Sequence, residues 1–217
     1  MKQSELNKSL HAELRKSARA HNWNSSRGFV FKATDLLFFS IIIVGQVKRP
    51  YLSYSLRYKL LAFDDLFWKI VKMEENLRQP LSFRACGAWT APMATISKGE
   101  LPMGDWGAAS LHSTVNDIIC HCNIGALKVS GEIRGLDDNL DVVEKLYAQL
   151  KTEYPDAVTN IWLERLLTSM LKDDYDGSET IIRDRLTNHD SGYFQIGAKS
   201  FYELAREYLY ALVNKDK

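Results

Sequence analysis

Two consecutive runs of opposite character, joined by a cationic corner, set the strongest limit on what this chain can become. The first, Leu36-Leu37-Phe38-Phe39-Ser40-Ile41-Ile42-Ile43-Val44, is apolar at nearly every position and rich in β-branched and aromatic residues. That is the signature of a central strand covered on both faces. The second alternates: Leu52, Tyr54, Leu56, Tyr58 and Leu60 share one side, and Ser53, Ser55, Arg57 and Lys59 the other. A period of two marks a half-buried strand. Between them Lys48-Arg49-Pro50 cannot continue a central ladder, because proline has no N–H and the two cations need water. A turn there makes the pair antiparallel.

The flanking segments supply what this pair must pack against. Leu6, Leu10, Leu14 and Ala18 recur every four residues on a helix from Ser4 to His21 otherwise covered by Lys8, Glu13, Arg15, Lys16 and Arg19. Turn residues from Asn22 to Gly28 lead into a short strand, Phe29-Val30-Phe31-Lys32. After the alternating strand, Phe63 to Val71 reads as a helix capped by Asp64 or Asp65, with Trp68 anchoring it on the sheet. Leu81 to Cys86 and Ala88 to Ser97 read as two more strands. Gly99 to Gly107, with Pro102 and Gly104, reads as a boundary. Beyond it, helical spacing covers Leu111 to Leu127, Asp137 to Leu150, Ala157 to Leu171 behind Pro155-Asp156, and Ser200 to Val213. The expected fold is α+β: an N-terminal helix on a curved antiparallel sheet of four or five strands (1–103), followed by a helical unit (104–217).

Composition narrows the function classes. The 217 residues are 46% hydrophobic and 25% charged, enough for a globular core, and 28 basic against 27 acidic residues give a formal charge of +1. No whole-molecule field therefore favours nucleic acid or an anionic membrane. Three cysteines fit a reducing compartment, the N-terminus lacks an apolar h-region, and the run from Leu36 to Val44 is too short to span a bilayer. A cytoplasmic chain without membrane contact is expected.

No catalytic residue, cofactor or metal site is expected either. In Cys120-His121-Cys122, neighbours two apart on a helix diverge, and no second pair of ligands accompanies them. Cys122 and Ile118 are expected to face the core and His121 to lie outside. Asp173-Asp174-Tyr175-Asp176-Gly177 resembles part of a calcium loop, but Lys172 and Arg183 stand where acidic ligands belong. Asp173 and Asp174 then read as a solvated helix end, and Asp176 or Ser178 as the next cap. There is no nucleophile elbow and no phosphate-binding glycine fingerprint.

One surface remains as a binding candidate. Arg57 and Lys59, with Arg84 on a later strand, read as a basic sheet face held in fixed geometry. Tyr54 and Tyr58 point the other way, so base stacking has no platform there and an acidic protein is the expected partner.

Ser55-Leu56-Arg57-Tyr58-Lys59 followed by Asp64-Asp65-Leu66-Phe67-Trp68-Lys69-Ile70 resembles a group of small bacterial α+β proteins of unknown function. In these an amphipathic helix precedes a curved antiparallel sheet, and an Arg-x-Lys strand end leads into an aspartate and a Leu-Phe-Trp helix. Members often occur as immunity proteins beside polymorphic toxins. The resemblance covers the N-terminal hundred residues and implies a non-enzymatic protein that neutralises a toxin by direct contact. Two alternatives from other classes are an enzyme or nucleotide-binding protein with a site assembled from scattered residues, and a scaffold or phage-type accessory protein.

Overall fold

The computed structural model describes residues 2–87, 89–103, 105–192 and 195–214, with Cys86 described by its backbone alone. The fold is α+β, with an N-terminal helix, a five-stranded antiparallel sheet and a helical C-terminal half. Contacts between Cα atoms group the chain into two compact units, each assembled from separate stretches. Unit 1 is Met1–Leu60, Pro80–Ala88 and Met93–Arg134; unit 2 is Leu61–Gln79, Trp89–Pro92 and Gly135–Lys217. A single cut near 103 follows chain order, and this grouping does not.

Unit 1 is a two-layer sandwich. Helix α1 (Gln3–Ala20) precedes strands β1 (Asn24–Ser26), β2 (Phe29–Ala33), β3 (Leu37–Gln46) and β4 (Tyr51–Leu60); β5 (Ala94–Pro102) completes a sheet whose order is the order of the chain. Arg27 and Gly28, at φ 48° and 84°, form the two-residue β1–β2 turn, in the left-handed region that such hairpins require. The two long strands fall where the hydrophobic pattern places them, with Leu37 opposite Leu60 and Ile43 opposite Tyr54. One face of this pair, Leu37, Phe39, Ile41 and Ile43 with Leu52, Leu56, Tyr58 and Leu60, is buried. Against it pack Leu6, Leu10, Leu14 and Ala18 of α1 and Val115, Ile118, Ile119 and Cys122 of α4 (Ala108–Glu132). A Cβ at Gly125 would lie 3.1 Å from Leu56, so the missing side chain lets α4 approach the sheet closely.

Three expectations for unit 1 change. Leu81 to Cys86 is not a strand: Phe83–Cys86 forms a single helical turn, α3, after Pro80. The last strand starts at Ala94, six residues later than expected, and runs through Gly99 to Pro102, so that glycine belongs to the sheet and not to a boundary. Gly99 fits because its missing Cβ leaves room for the Tyr54 ring, 2.9 Å from where that atom would be. The third concerns the polar side of β4, described below. Ala88 and Gly104, at the ends of expected segments, lie outside the described residues.

Unit 2 is mainly helical, comprising α2 (Leu61–Ile70), a 3-10 turn (Glu74–Arg78), α5 (Leu136–Glu153), α6 (Ile161–Leu171), α7 (Tyr175–Thr187), a two-stranded β6–β7 hairpin (Gln195–Ile196, Lys199–Ser200) and α8 (Phe201–Val213). Trp68 is 1% exposed, and its indole N–H donates to the carbonyl of Trp89 at 2.7 Å. Phe67 stacks on Phe201 with centroids 5.0 Å apart, joining α2 to α8. Asp64 does not cap α2. It is fully buried, and its carboxylate accepts the backbone N–H of Ala91 at 2.8 Å, tying a distant segment to the helix. Helix α6 starts at Ile161, so Pro155 and Asp156 belong to the preceding loop. Asp174 rather than Asp176 or Ser178 caps α7, accepting from the Gly177 N–H at 3.0 Å.

Candidate binding surface

The three residues singled out on the sheet do not form one exposed patch. Arg57 is exposed and its Nε donates to Ser55 Oγ at 2.8 Å. Lys59 is 2% exposed: its ammonium donates to the carbonyl of Arg84 at 3.0 Å and sits 5.8 Å from the ring centroid of Phe38. Arg84 is half-buried. The alternation in β4 predicts which side Lys59 faces, but that side meets protein at this end of the strand, where the segment around α3 covers it. A buried ammonium held by a carbonyl and an aromatic face is a structural clamp.

A basic surface of unit 1 lies on α1. Residues Leu6, Leu10, Leu14 and Ala18 are buried, and a period of 3.6 puts Lys8, Arg15 and Arg19 on the opposite crest, with Ala12 between them. All three cations are exposed and have no ion pair among the described residues. Beside them, a Cβ at Gly28 would lie 2.5 Å from His11 Nε2, so the β1–β2 tip with exposed Arg27 sits next to the crest. The open space over Ser4, Asn7, Lys8, His11, Ala12 and Arg15, about 600 Å³, has walls from one helix only, which makes it a surface and not a small-molecule pocket.

The whole-chain charge conceals this surface. Unit 1 holds 15 basic and 7 acidic residues, a formal +8, whereas unit 2 holds 13 basic and 20 acidic, a formal −7. Sequence order could not separate them, because the acidic Asp64, Asp65, Glu74 and Glu75 interrupt the stretches that fold as unit 1.

The flank of α1 that meets α4 carries a polar ladder. His112 Nδ1 lies 2.8 Å from Glu13 Oε2, His21 Nε2 lies 3.2 Å from Asn116 Oδ1, and the Trp23 indole N–H donates to Asn123 Oδ1 at 3.0 Å. Lys16 also donates to Glu13 at 2.9 Å, and these donors hold the Glu13 carboxyl below its ordinary range despite burial. The ladder fixes how α4 lies beside α1 and leaves the cationic crest uncovered.

Cys122 and Ile118 face the core, and burial pushes the Cys122 thiol up to about 12; Cys120 is exposed, and His121 meets the edge of Tyr54 at 6.0 Å. Among the described residues no three His, Cys, Asp or Glu side chains converge on a metal position. In unit 2, Asn160, Trp162, Asp190 and Tyr202 line a cleft of about 170 Å³, with Arg165 and Arg185 stacked over Trp162 at 4.7 and 4.3 Å. Burial and Asp190 raise the Tyr202 phenol above its ordinary range. Small-molecule sites usually run to about 300 Å³ or more, so this cleft is too small for a typical substrate. No helix among the described residues is long and apolar enough to cross a membrane. Compared with known protein families, with curated proteins and with solved structures, the chain gives no match.

Proposed function

We propose that this chain is a non-enzymatic, cytoplasmic binding protein that recognises an acidic protein through the basic crest of α1, in the manner of an immunity protein occluding a toxin. The observation that carries the reading is the row of Lys8, Arg15 and Arg19, exposed and without an ion pair among the described residues, on a helix whose other face is locked into the core of a unit of formal charge +8. Rigid presentation reduces the ordering cost of binding, and a field of one sign speeds encounter with an oppositely charged surface. The crest carries no aromatic side chain, so it supplies charge without the stacking platform that single-stranded nucleic acid uses. Free Cys120 and Cys122 accord with a reducing compartment.

The test is co-expression with the product of a toxin-like adjacent reading frame. Rescue of growth and a co-purifying complex are expected, both lost in Lys8→Glu/Arg15→Glu/Arg19→Glu. Tight binding of duplex nucleic acid by the isolated protein, with no protein complex, would contradict the reading.

A further inference from the structure

Helix α4 presents a second surface with different chemistry. Cys120, Ile124 and Leu127 follow one another at spacings of four and three, on the side opposite the buried Val115, Ile118, Ile119 and Cys122. Ile124 is 64% exposed and Leu127 59%, and Cys120 is exposed beside them. Ser113 and Gly131 extend the line at each end, one with a small side chain and the other with none, which lets another helix approach.

The charges beside this stripe point to its occupant. Asp117 and Lys128 are both exposed, lie on the same flank at opposite ends, and are separated by eleven residues, about 16 Å of helix. Neither has an ion pair among the described residues. When two copies of one helix pair antiparallel, each flank meets the same flank of the other copy. A twofold axis midway between Asp117 and Lys128 therefore sets each Asp117 opposite Lys128 of the second copy. The same axis brings Cys120 of each copy beside Ile124 of the other. The apolar stripe and its bordering charges are thus complementary to themselves in one orientation.

We infer that the exposed face of α4 is a homodimer interface, in which two copies pair antiparallel through Cys120, Ile124 and Leu127 with reciprocal Asp117–Lys128 ion pairs.

Sedimentation of the full chain tests this directly, with twice the chain mass expected at micromolar concentration. Ile124→Lys should weaken the dimer by about a hundredfold, as loss of a central apolar anchor does, and should melt like the native chain diluted to the monomer. Asp117→Lys should weaken it by about tenfold, and adding Lys128→Asp should restore it, because the swapped charges complement only in the antiparallel arrangement. A short bismaleimide should link two wild-type chains and fail with Cys120→Ser, which needs no change in the apolar residues. A monomer at high concentration would overturn the inference, as would a dimer unaffected by Ile124→Lys, a double swap that does not recover, or unchanged cross-linking of Cys120→Ser.

Discussion

The two units treat charge in opposite ways. In unit 2, Lys72 and Lys199 both reach Glu207, Arg165 meets Glu144, Lys172 meets Asp137 and Arg185 meets Asp184, so many of its cations are answered within the unit. In unit 1, Lys8, Arg15 and Arg19 stand along α1 without an ion pair among the described residues, while the buried Lys59 is held by a carbonyl and a ring. Cations answered locally help stabilise and solubilise the fold. Those left in a row on a rigid helix are available to a partner, and the same sequence supplies both kinds.

The comparison is sharpened first at the cores. Trp68→Ala removes a fully buried indole and its hydrogen bond to the Trp89 carbonyl, and it should cost unit 2 about 3 to 5 kcal/mol, read as a lowered melting midpoint. Lys59→Glu places a carboxylate against the Arg84 carbonyl in unit 1. A loss of about 3 kcal/mol or more is expected in denaturant titration; an unchanged midpoint would show Lys59 to be a surface residue after all. Smaller is the acid limb. Glu13 titrates lower in the folded chain than when unfolded, so its contribution is present above its ordinary value near 4.5 and is lost as pH falls through the lower folded value. Glu13→Gln should therefore flatten the pH dependence of stability below that value, and an identical acid limb would show that the His112 and Lys16 contacts do not act on it. Smallest is Lys172→Ala, which breaks an exposed pair with Asp137 and should shift stability by less than about 1 kcal/mol.

How legible all this was from the sequence depended on the range of the interaction. The helix stripe at Leu6, Leu10, Leu14 and Ala18 and the strands through Leu37–Gln46 and Tyr51–Leu60 follow local periodicity, and the structure places them within two residues of expectation. Phe83–Cys86 was misread because four residues are too few for a period to appear, and β5 because its pairing with β4 overrides the glycine at 99. Lys59 lay on the polar side of an alternating strand, and periodicity reports side but not cover. The Glu13–His112 and Trp23–Asn123 contacts join residues about a hundred positions apart, for which a single sequence carries no local signal. The α1 crest was visible as Lys8, Arg15 and Arg19 on a helix. Its meaning was hidden because a formal +1 averages over two units of opposite sign.

The most direct test of the basic crest is the rate at which the protein associates with its acidic partner as salt is raised, measured by stopped flow for the native chain and for Lys8→Glu/Arg15→Glu/Arg19→Glu. Opposite charges steer encounter and salt screens them, so the native rate should fall steeply with ionic strength, by about tenfold or more from low to high salt. The triple variant should associate slowly at low salt with little further salt dependence, at an unchanged melting temperature, because exposed charges matter more to encounter than to folding. A folded triple variant with the native rate and the native salt slope would contradict the assignment of recognition to α1.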